Sequence, residues 1–323
     1  MRTITYAEAL VEAIAECMTE DDNVALIWAS IMGVGGNNEH VERIKTEFAD
    51  RIFHPPISEA GICAIATGAA MDGVRTIVPM GTASFMFRAW DQIIHEAGSA
   101  HYMSNGRVKA PVVFHVVHGL RGGGSVQHSQ SPQSMLWNAP GIEIALPSCP
   151  ADAKGLMRTA IKSDNPTVFI DHQRLNRTSG EVPDGIHDVP FGVADIKRAG
   201  GDVTIVATSL QVNQALEAAD VLAGEGIEAE IVDLRSLVPL DEDAVLKSLA
   251  KTGRLVVADE APPRCSIASE IIALAAEKGM DLLKAPPQRV NRPPVHVSVS
   301  KPLEDHLMPG PKRIAEAVRT VCG

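Results

Sequence analysis

Four scarcities narrow what this chain can be. Basic residues are outnumbered, 29 Lys and Arg against 40 Asp and Glu, for a formal charge of -11. That removes the basic face on which sequence-independent phosphate binding depends, and argues against nucleic acid as a partner. The five cysteines, Cys17, Cys63, Cys149, Cys265 and Cys322, are odd in number and far apart, with no Cys-x-x-Cys pair. Neither a disulfide framework nor a zinc knuckle is indicated, and a reducing cytoplasm fits best. No apolar run approaches the length of a bilayer span, and Met1-Arg2-Thr3-Ile4-Thr5 leads into an amphipathic pattern rather than a signal core. A soluble, unprocessed chain with no membrane partner is expected. Aromatic residues are the fourth scarcity, at 4% of the composition, yet Phe85, Phe87 and Trp90 fall within one short segment.

At 323 residues the chain is long enough for two domains of ordinary size, each with its own core. Thr5-x-x-Glu8 is a capping-box pattern, and Leu10, Val11, Ile14 and Met18 follow at helical spacing. Val24 to Trp28 is a continuous apolar run, as expected of a strand buried on both faces. The alternation continues with a helix stripe at Val41, Ile44 and Phe48, a short strand at Arg51 to Phe53, and an Ala/Gly-rich helix from about Ser58 to Met71. Strands at Thr76 to Val78, Val112 to Phe114, Ile142 to Ala145 and Val168 to Ile170 alternate with helical patterns near 88–103 and 151–162. From about His172 to Gly201 the periodicity breaks into Pro, Gly, Asp and Arg, and then resumes from Val203. The pattern predicts an α/β fold: two domains with mainly parallel sheets flanked by helices, at 1–180 and 202–323, joined by a linker at 181–201. No short internal repeat or low-complexity segment is present.

Glu59, at the start of the Ala/Gly-rich helix, has two readings. It is a first-turn glutamate favoured by the helix dipole, or a carboxyl that holds a proton near neutral pH if its surroundings are dry and shares it with a ring nitrogen. Phe85, Phe87 and Trp90 read either as ordinary core, with Phe87 and Trp90 at helical spacing, or as a stacking platform in which Phe85 meets a ring. His115 and His118, three apart on a strand, point to opposite faces and would chelate a metal poorly. Gly122-Gly123-Gly124-Ser125 lacks the ending of a phosphate-binding loop, and Gly33-Val34-Gly35-Gly36 lacks the full dinucleotide fingerprint. Both read as flexible loops able to bend backbone around a ligand. His128, just beyond the first of them, is either a solvated loop histidine or a general acid/base presented on a loop. No Gly-x-Ser-x-Gly elbow accompanies it.

Ile57-Ser58-Glu59-Ala60-Gly61, Ala89-Trp90-Asp91-Gln92-Ile93, Gln127-His128-Ser129-Gln130-Ser131, Asp152-Ala153-Lys154-Gly155-Leu156, Asp233 to Asp241 and Lys251-Thr252-Gly253-Arg254 occur in this order. Together they resemble the beta subunit of the thiamine diphosphate-dependent decarboxylating component of 2-oxoacid dehydrogenase complexes, in the transketolase-like superfamily. The resemblance covers nearly the whole chain. It implies a pyrimidine-binding domain and a transketolase C-terminal-like domain here, with an alpha subunit supplying the diphosphate-binding domain. It also implies that Glu59 hydrogen-bonds the aminopyrimidine nitrogen and promotes the imino tautomer that deprotonates the thiazolium carbon. Phe85 would pack on the pyrimidine, Gly81 would belong to the cofactor-binding surface, and His128 would steer protons or the incoming lipoyl group. The family's Gly-Asp-Gly followed by Asn-Asn is missing; Asn37-Asn38 has no such partner upstream. Magnesium and the diphosphate are therefore expected on the alpha subunit, in a heterotetramer of two alpha and two beta chains that serves a lipoyl-bearing acyltransferase. By the same resemblance a structural potassium ion would sit on backbone carbonyls near Val112, Ala160, Ser163 and Asn165.

Three departures from the family pattern stand out. Trp28-Ala29-Ser30 and Pro79 replace acidic residues of the passage that links paired sites in the family, which puts proton communication between sites in doubt. Gly81 with His115, His118 and Arg121 around the pocket mouth points to an altered substrate preference. Two alternatives compete with the dehydrogenase reading. One is the C-terminal half of a split transketolase, which Arg88-Ala89-Trp90 resembles. The other is a scaffold subunit without catalysis, against which the joint presence of Glu59, Phe85 and His128 argues.

Overall fold

A computed structural model describes residues 1–27 and 38–323; the sequence features at Trp28 to Ser30, Gly33 to Gly36 and Asn37 lie outside the described residues. Contacts divide the chain into two units, Met1–His118 with Leu136–Phe191, and Gly119–Met135 with Gly192–Gly323. The first contains β1 (Arg2–Thr5), α1 (Tyr6–Glu20), β2 (Val24–Ile27), α2 (Glu39–Glu47), β3 (Ile52–Phe53), α3 (Glu59–Met71), β4 (Arg75–Thr82), α4 (Ala100–Met103) and β5 (Val112–His118). After α5 (Gln133–Trp137) follow β6 (Glu143–Ala145), α6 (Pro150–Lys162), β7 (Thr167–His172) and β8 (Ser179–Val182).

Strands β6, β7, β5, β4, β2 and β3 pair side by side in that order, all parallel. Their apolar runs need both faces covered. One face carries Leu26, Ile77, Val113 and Phe169 into a core shared with Leu10 and Ile14 of α1 and Leu156 of α6. Helix α1 begins at the predicted capping box: Thr5 accepts from the Glu8 amide, and the Glu8 carboxylate accepts from the Thr5 amide at 2.7 Å. Its partner helix α6 meets it through charge. Glu12, Glu16 and Glu20 recur every four residues on α1, as do Lys154, Arg158 and Lys162 on α6. Lys154 Nζ donates to Glu12 at 3.0 Å and Glu16 at 2.8 Å, and Arg158 donates to Glu16, Glu20 and Asp188 at 2.7–2.8 Å. Both cationic side chains are fully buried. Burial opposes ionisation of Glu20 and Asp188, but the hydrogen bonds and charges of Arg158 and Lys162 outweigh it and hold both carboxyls below their usual range. Gly155 is required between them, because a Cβ there would lie 2.4 Å from Val189 Cγ2.

The second unit contains β9 (Asp195–Arg198), β10 (Val203–Ala207), α7 (Leu210–Ala223), β11 (Ala229–Asp233), β12 (Ser236–Val238), α8 (Glu242–Thr252), β13 (Leu255–Asp259), α9 (Ile267–Gly279), β14 (Gln288–Asn291), α10 (Lys301–Leu307) and α11 (Pro311–Cys322). Its sheet has the order β14-β13-β10-β11-β9, parallel except for β9 at the edge. Residues 181–201, read from sequence as a linker, contain the end of β8 and all of β9. Strand β8 pairs antiparallel with β1, Arg2 opposite Val182 and Thr5 opposite Ser179. No described helix is long and apolar enough to cross a membrane.

Candidate active site

In the first unit, Glu59 opens α3. Ser58 caps the helix, its hydroxyl accepting from the Gly61 amide at 3.2 Å, so Glu59 falls in the first turn where the helix dipole favours a carboxylate. The side chain is 12% exposed, and its Oε2 lies 3.5 Å from Nε of Arg88. A glutamate sealed from water is therefore not what the chain forms by itself; the carboxylate is partly covered and faces a cation. Arg88 belongs to the turn that follows β4, a 3-10 segment over Ala83–Ala89 continued by a π-helix over Asp91–Ala97.

The β4 strand reaches that turn through an irregularity. Pro79 stands opposite His115, but Thr82 stands opposite Val117, so β4 carries one extra residue there. Gly81 lies inside this bulge with φ +70° and open space where a Cβ would be. A bulge re-aims the end of a strand, and this one delivers the Phe85 segment beside the start of α3. Phe85 is half-buried. Phe87 is 38% exposed and meets Trp90 at 6.0 Å between ring centroids. Of the two readings, ordinary helical core does not hold for Phe87, because the segment is not α-helical and its period turns Phe87 outward, while Trp90 is half-buried.

His115 and His118 are not at a pocket mouth. Both are buried. His115 Nε2 lies 2.5 Å from Asp171 Oδ2, and the hydroxyl of Tyr6 donates to Asp171 Oδ1. Burial, then the Asp171 charge, push the Tyr6 phenol well above its usual value. His118 meets His172 edge-on at 5.0 Å. Sequence reasoning missed Tyr6 and Asp171; the available signal was the polar pair Asp171-His172 closing an otherwise apolar strand. Of the residues read as potassium-binding, Ser163 and Asn165 direct their side chains to Glu143 at 2.7 and 3.1 Å. Arg75 Nη1 donates to the carbonyls of Ile161, Lys162 and Ser163 at 3.3, 3.1 and 2.9 Å.

In the second unit, His128 ends a 3-10 turn over Val126–His128 and is half-buried. The turn belongs to a loop closed at its neck by the Gly119 amide donating to the Gln130 carbonyl at 3.1 Å. Three carboxylates anchor the loop and its continuation. The Leu120 amide donates to Glu260 at 2.5 Å, the Gly122 and Gly123 amides donate to Glu304 at 2.5 and 2.6 Å, and Gln133 donates to Asp259 at 3.0 Å. Asp259 also accepts from the amides of Ala261 and Ile267. Burial nonetheless pushes its carboxyl up to about 6.

The comparisons agree across the chain. The model of the transketolase pyrimidine-binding domain matches residues 2–178, and that of the transketolase C-terminal domain matches residues 192–314. The chain is 40% identical to the acetoin:2,6-dichlorophenolindophenol oxidoreductase subunit beta of Bacillus subtilis (strain 168), covering 100% of this chain and 98% of that one. It is 37% identical to the pyruvate dehydrogenase E1 component subunit beta of Rickettsia felis, covering 99% and 98%. The 2-oxoisovalerate dehydrogenase subunit beta of B. subtilis (strain 168) is 35% identical, with 99% and 98% covered. Among solved structures, a split-gene transketolase described as an inactive beta4 tetramer superposes with a TM-score of 0.79, covering 99% of this chain and 98% of that one. At 22% identity it shows the fold alone. Two domain models that together span most of the chain, and relatives of 35–40% identity along its full length, place it in the transketolase-like family of dehydrogenase E1 beta subunits.

Proposed function

We propose that this chain is the beta subunit of a thiamine diphosphate-dependent dehydrogenase that acts on a 2-oxo acid or an acyloin such as acetoin and passes the acyl group to a lipoyl domain. The observation that carries the reading is the placement of Glu59 in the first turn of α3, with Arg88 of the Phe85 segment 3.5 Å from its carboxylate. The residues present fit a bound pyrimidine: a partly covered carboxylate, a half-buried phenylalanine on the neighbouring turn, and a glycine with open space at Gly81. Thiamine diphosphate supplies the electron sink for cleaving a bond next to a carbonyl. Glu59 holds a proton between its carboxyl oxygen and a ring nitrogen. Phe85 covers the ring and excludes water, and His128 holds or delivers a proton at the substrate's carbonyl oxygen. The alpha subunit holds the diphosphate and magnesium, and the working assembly is a heterotetramer in the cytoplasm.

A potassium ion on the carbonyls of Val112, Ala160, Ser163 and Asn165 is part of the proposal, although Arg75 already donates to the Ser163 carbonyl. A melting temperature of the assembled enzyme that is equal in potassium and choline chloride removes the ion from the account. The activity itself is tested by purifying the chain with its alpha subunit from the native cell. Dichlorophenolindophenol reduction is then followed with acetoin, pyruvate and 2-oxoisovalerate, with thiamine diphosphate added or withheld. Turnover of at least one substrate that depends on the cofactor is expected; transfer between sugar phosphates instead would install the split-transketolase reading.

A further inference from the structure

The glycine run at 122–124 bends around a side chain of its own protein. Gly122 and Gly123 have φ of +87° and +108°, conformations that side chains rarely adopt. Successive backbone N–H groups in such a turn converge on one point and form a seat for an anion. The occupant is the carboxylate of Glu304, one oxygen on each amide at 2.5 and 2.6 Å, and Glu304 is wholly buried on α10. Gly124 continues the tight path: a Cβ there would lie 2.5 Å from Ser129 Oγ and 2.6 Å from Arg121 Cγ. Ser129 follows His128 directly. Inside the same loop, Gln130 Nε2 donates to the Val126 carbonyl at 3.0 Å, across the 3-10 turn that ends in His128.

We propose that Glu304 is a positioning residue for His128: its carboxylate, seated on the Gly122 and Gly123 amides, fixes the closed loop 119–130 and through Gly124 and Ser129 the place of the imidazole. This rests on the acid/base role given to His128 above. Water could satisfy the amides of a surface loop, so a wholly buried carboxylate is not needed for solvation; what it adds is a fixed path from Arg121 to His128. A phosphate site at this glycine run is excluded at the same time, because the seat is filled.

The test uses the assembled alpha-beta enzyme with Glu304→Gln, Glu304→Ala and, as a control on the reading beneath, His128→Ala. Amide hydrogen exchange at residues 120–124, trypsin cleavage after Arg121, and kcat and KM are measured together. Glu304→Ala is expected to raise exchange at Gly122 and Gly123 about tenfold or more, to open Arg121 to trypsin, and to lower kcat about tenfold with KM changed less than threefold. Glu304→Gln, which keeps one acceptor oxygen, recovers part of the kcat and keeps the enzyme assembled if the alanine variant does not fold. Exchange that stays slow in the glutamine and alanine variants, or a loosened loop with full kcat, overturns the positioning role. Full activity in His128→Ala overturns the acid/base reading itself, whatever the loop does.

Discussion

The guanidinium of Arg88 lies 3.5 Å from the carboxylate of Glu59, the one 74% exposed and the other 12%. An ion pair with so exposed a partner contributes about 0–1 kcal/mol, too little to hold Glu59 against a ring nitrogen that competes for the same oxygen. The two residues therefore separate in experiment. Glu59→Gln, which keeps the shape and removes the proton-holding group, is expected to lower kcat of the assembled enzyme by about 10²–10⁴-fold. Arg88→Ala is expected to change it less than about tenfold. Equal losses from both would mean that the pair, and not the carboxyl, matters.

The ladder between α1 and α6 is the stability test. Arg158→Met removes the one cation that, among the described residues, reaches Glu16, Glu20 and Asp188 together. Breaking a buried pair from one side costs about 3–5 kcal/mol, reduced here because Glu20 and Asp188 are about a third or more exposed. Urea unfolding should lose roughly 2–4 kcal/mol, with the difference from wild type shrinking as pH falls through the depressed carboxyl range. Those two carboxyls pair with Arg158 only while ionised, so their protonation removes their share of what Arg158 contributes. A difference that is constant from pH 7 to pH 3 contradicts the ladder.

Asp259 has the opposite sign. Burial raises its carboxyl from 3.8 to about 6. Between those values the folded chain holds a proton that the unfolded chain has released, so this group adds stability as pH falls through the window and costs stability above it. The effect is at most about 3 kcal/mol. In Asp259→Asn that pH dependence disappears: the variant's stability relative to wild type should be greatest at pH 8 and decline toward pH 4. An unchanged difference across the window places the titration elsewhere.

Much of this was legible in the sequence because burial leaves a pattern. Val24 to Ile27, Val112 to Phe114 and Val203 to Val206 read as strands since two covered faces demand unbroken apolar runs, and Thr5 with Glu8 announced α1 through a local hydrogen-bond pair. Strands β1 and β8 were missed, being short and partly polar and defined only by each other across the chain. Glu59 and His128 were found from motifs, but the elements around them were not. The 3-10 and π turns after Gly81 depend on a bulge that no periodicity encodes. The pinning of the glycine loop depends on Glu260 and Glu304, more than a hundred residues away. Lys154 and Gly155, quoted above as a family motif, turn out to hold α6 against α1 and Val189.

The central claim is that this chain carries one wall of a thiamine site and that the wall for metal and diphosphate lies on another chain. Calorimetry with thiamine diphosphate and magnesium, on the isolated, folded chain and on the same chain assembled with its alpha subunit, tests it most directly. The account predicts micromolar binding by the assembly, weakened by Glu59→Gln, and no saturable binding by the isolated chain below the millimolar range. Micromolar binding by the isolated chain would contradict it.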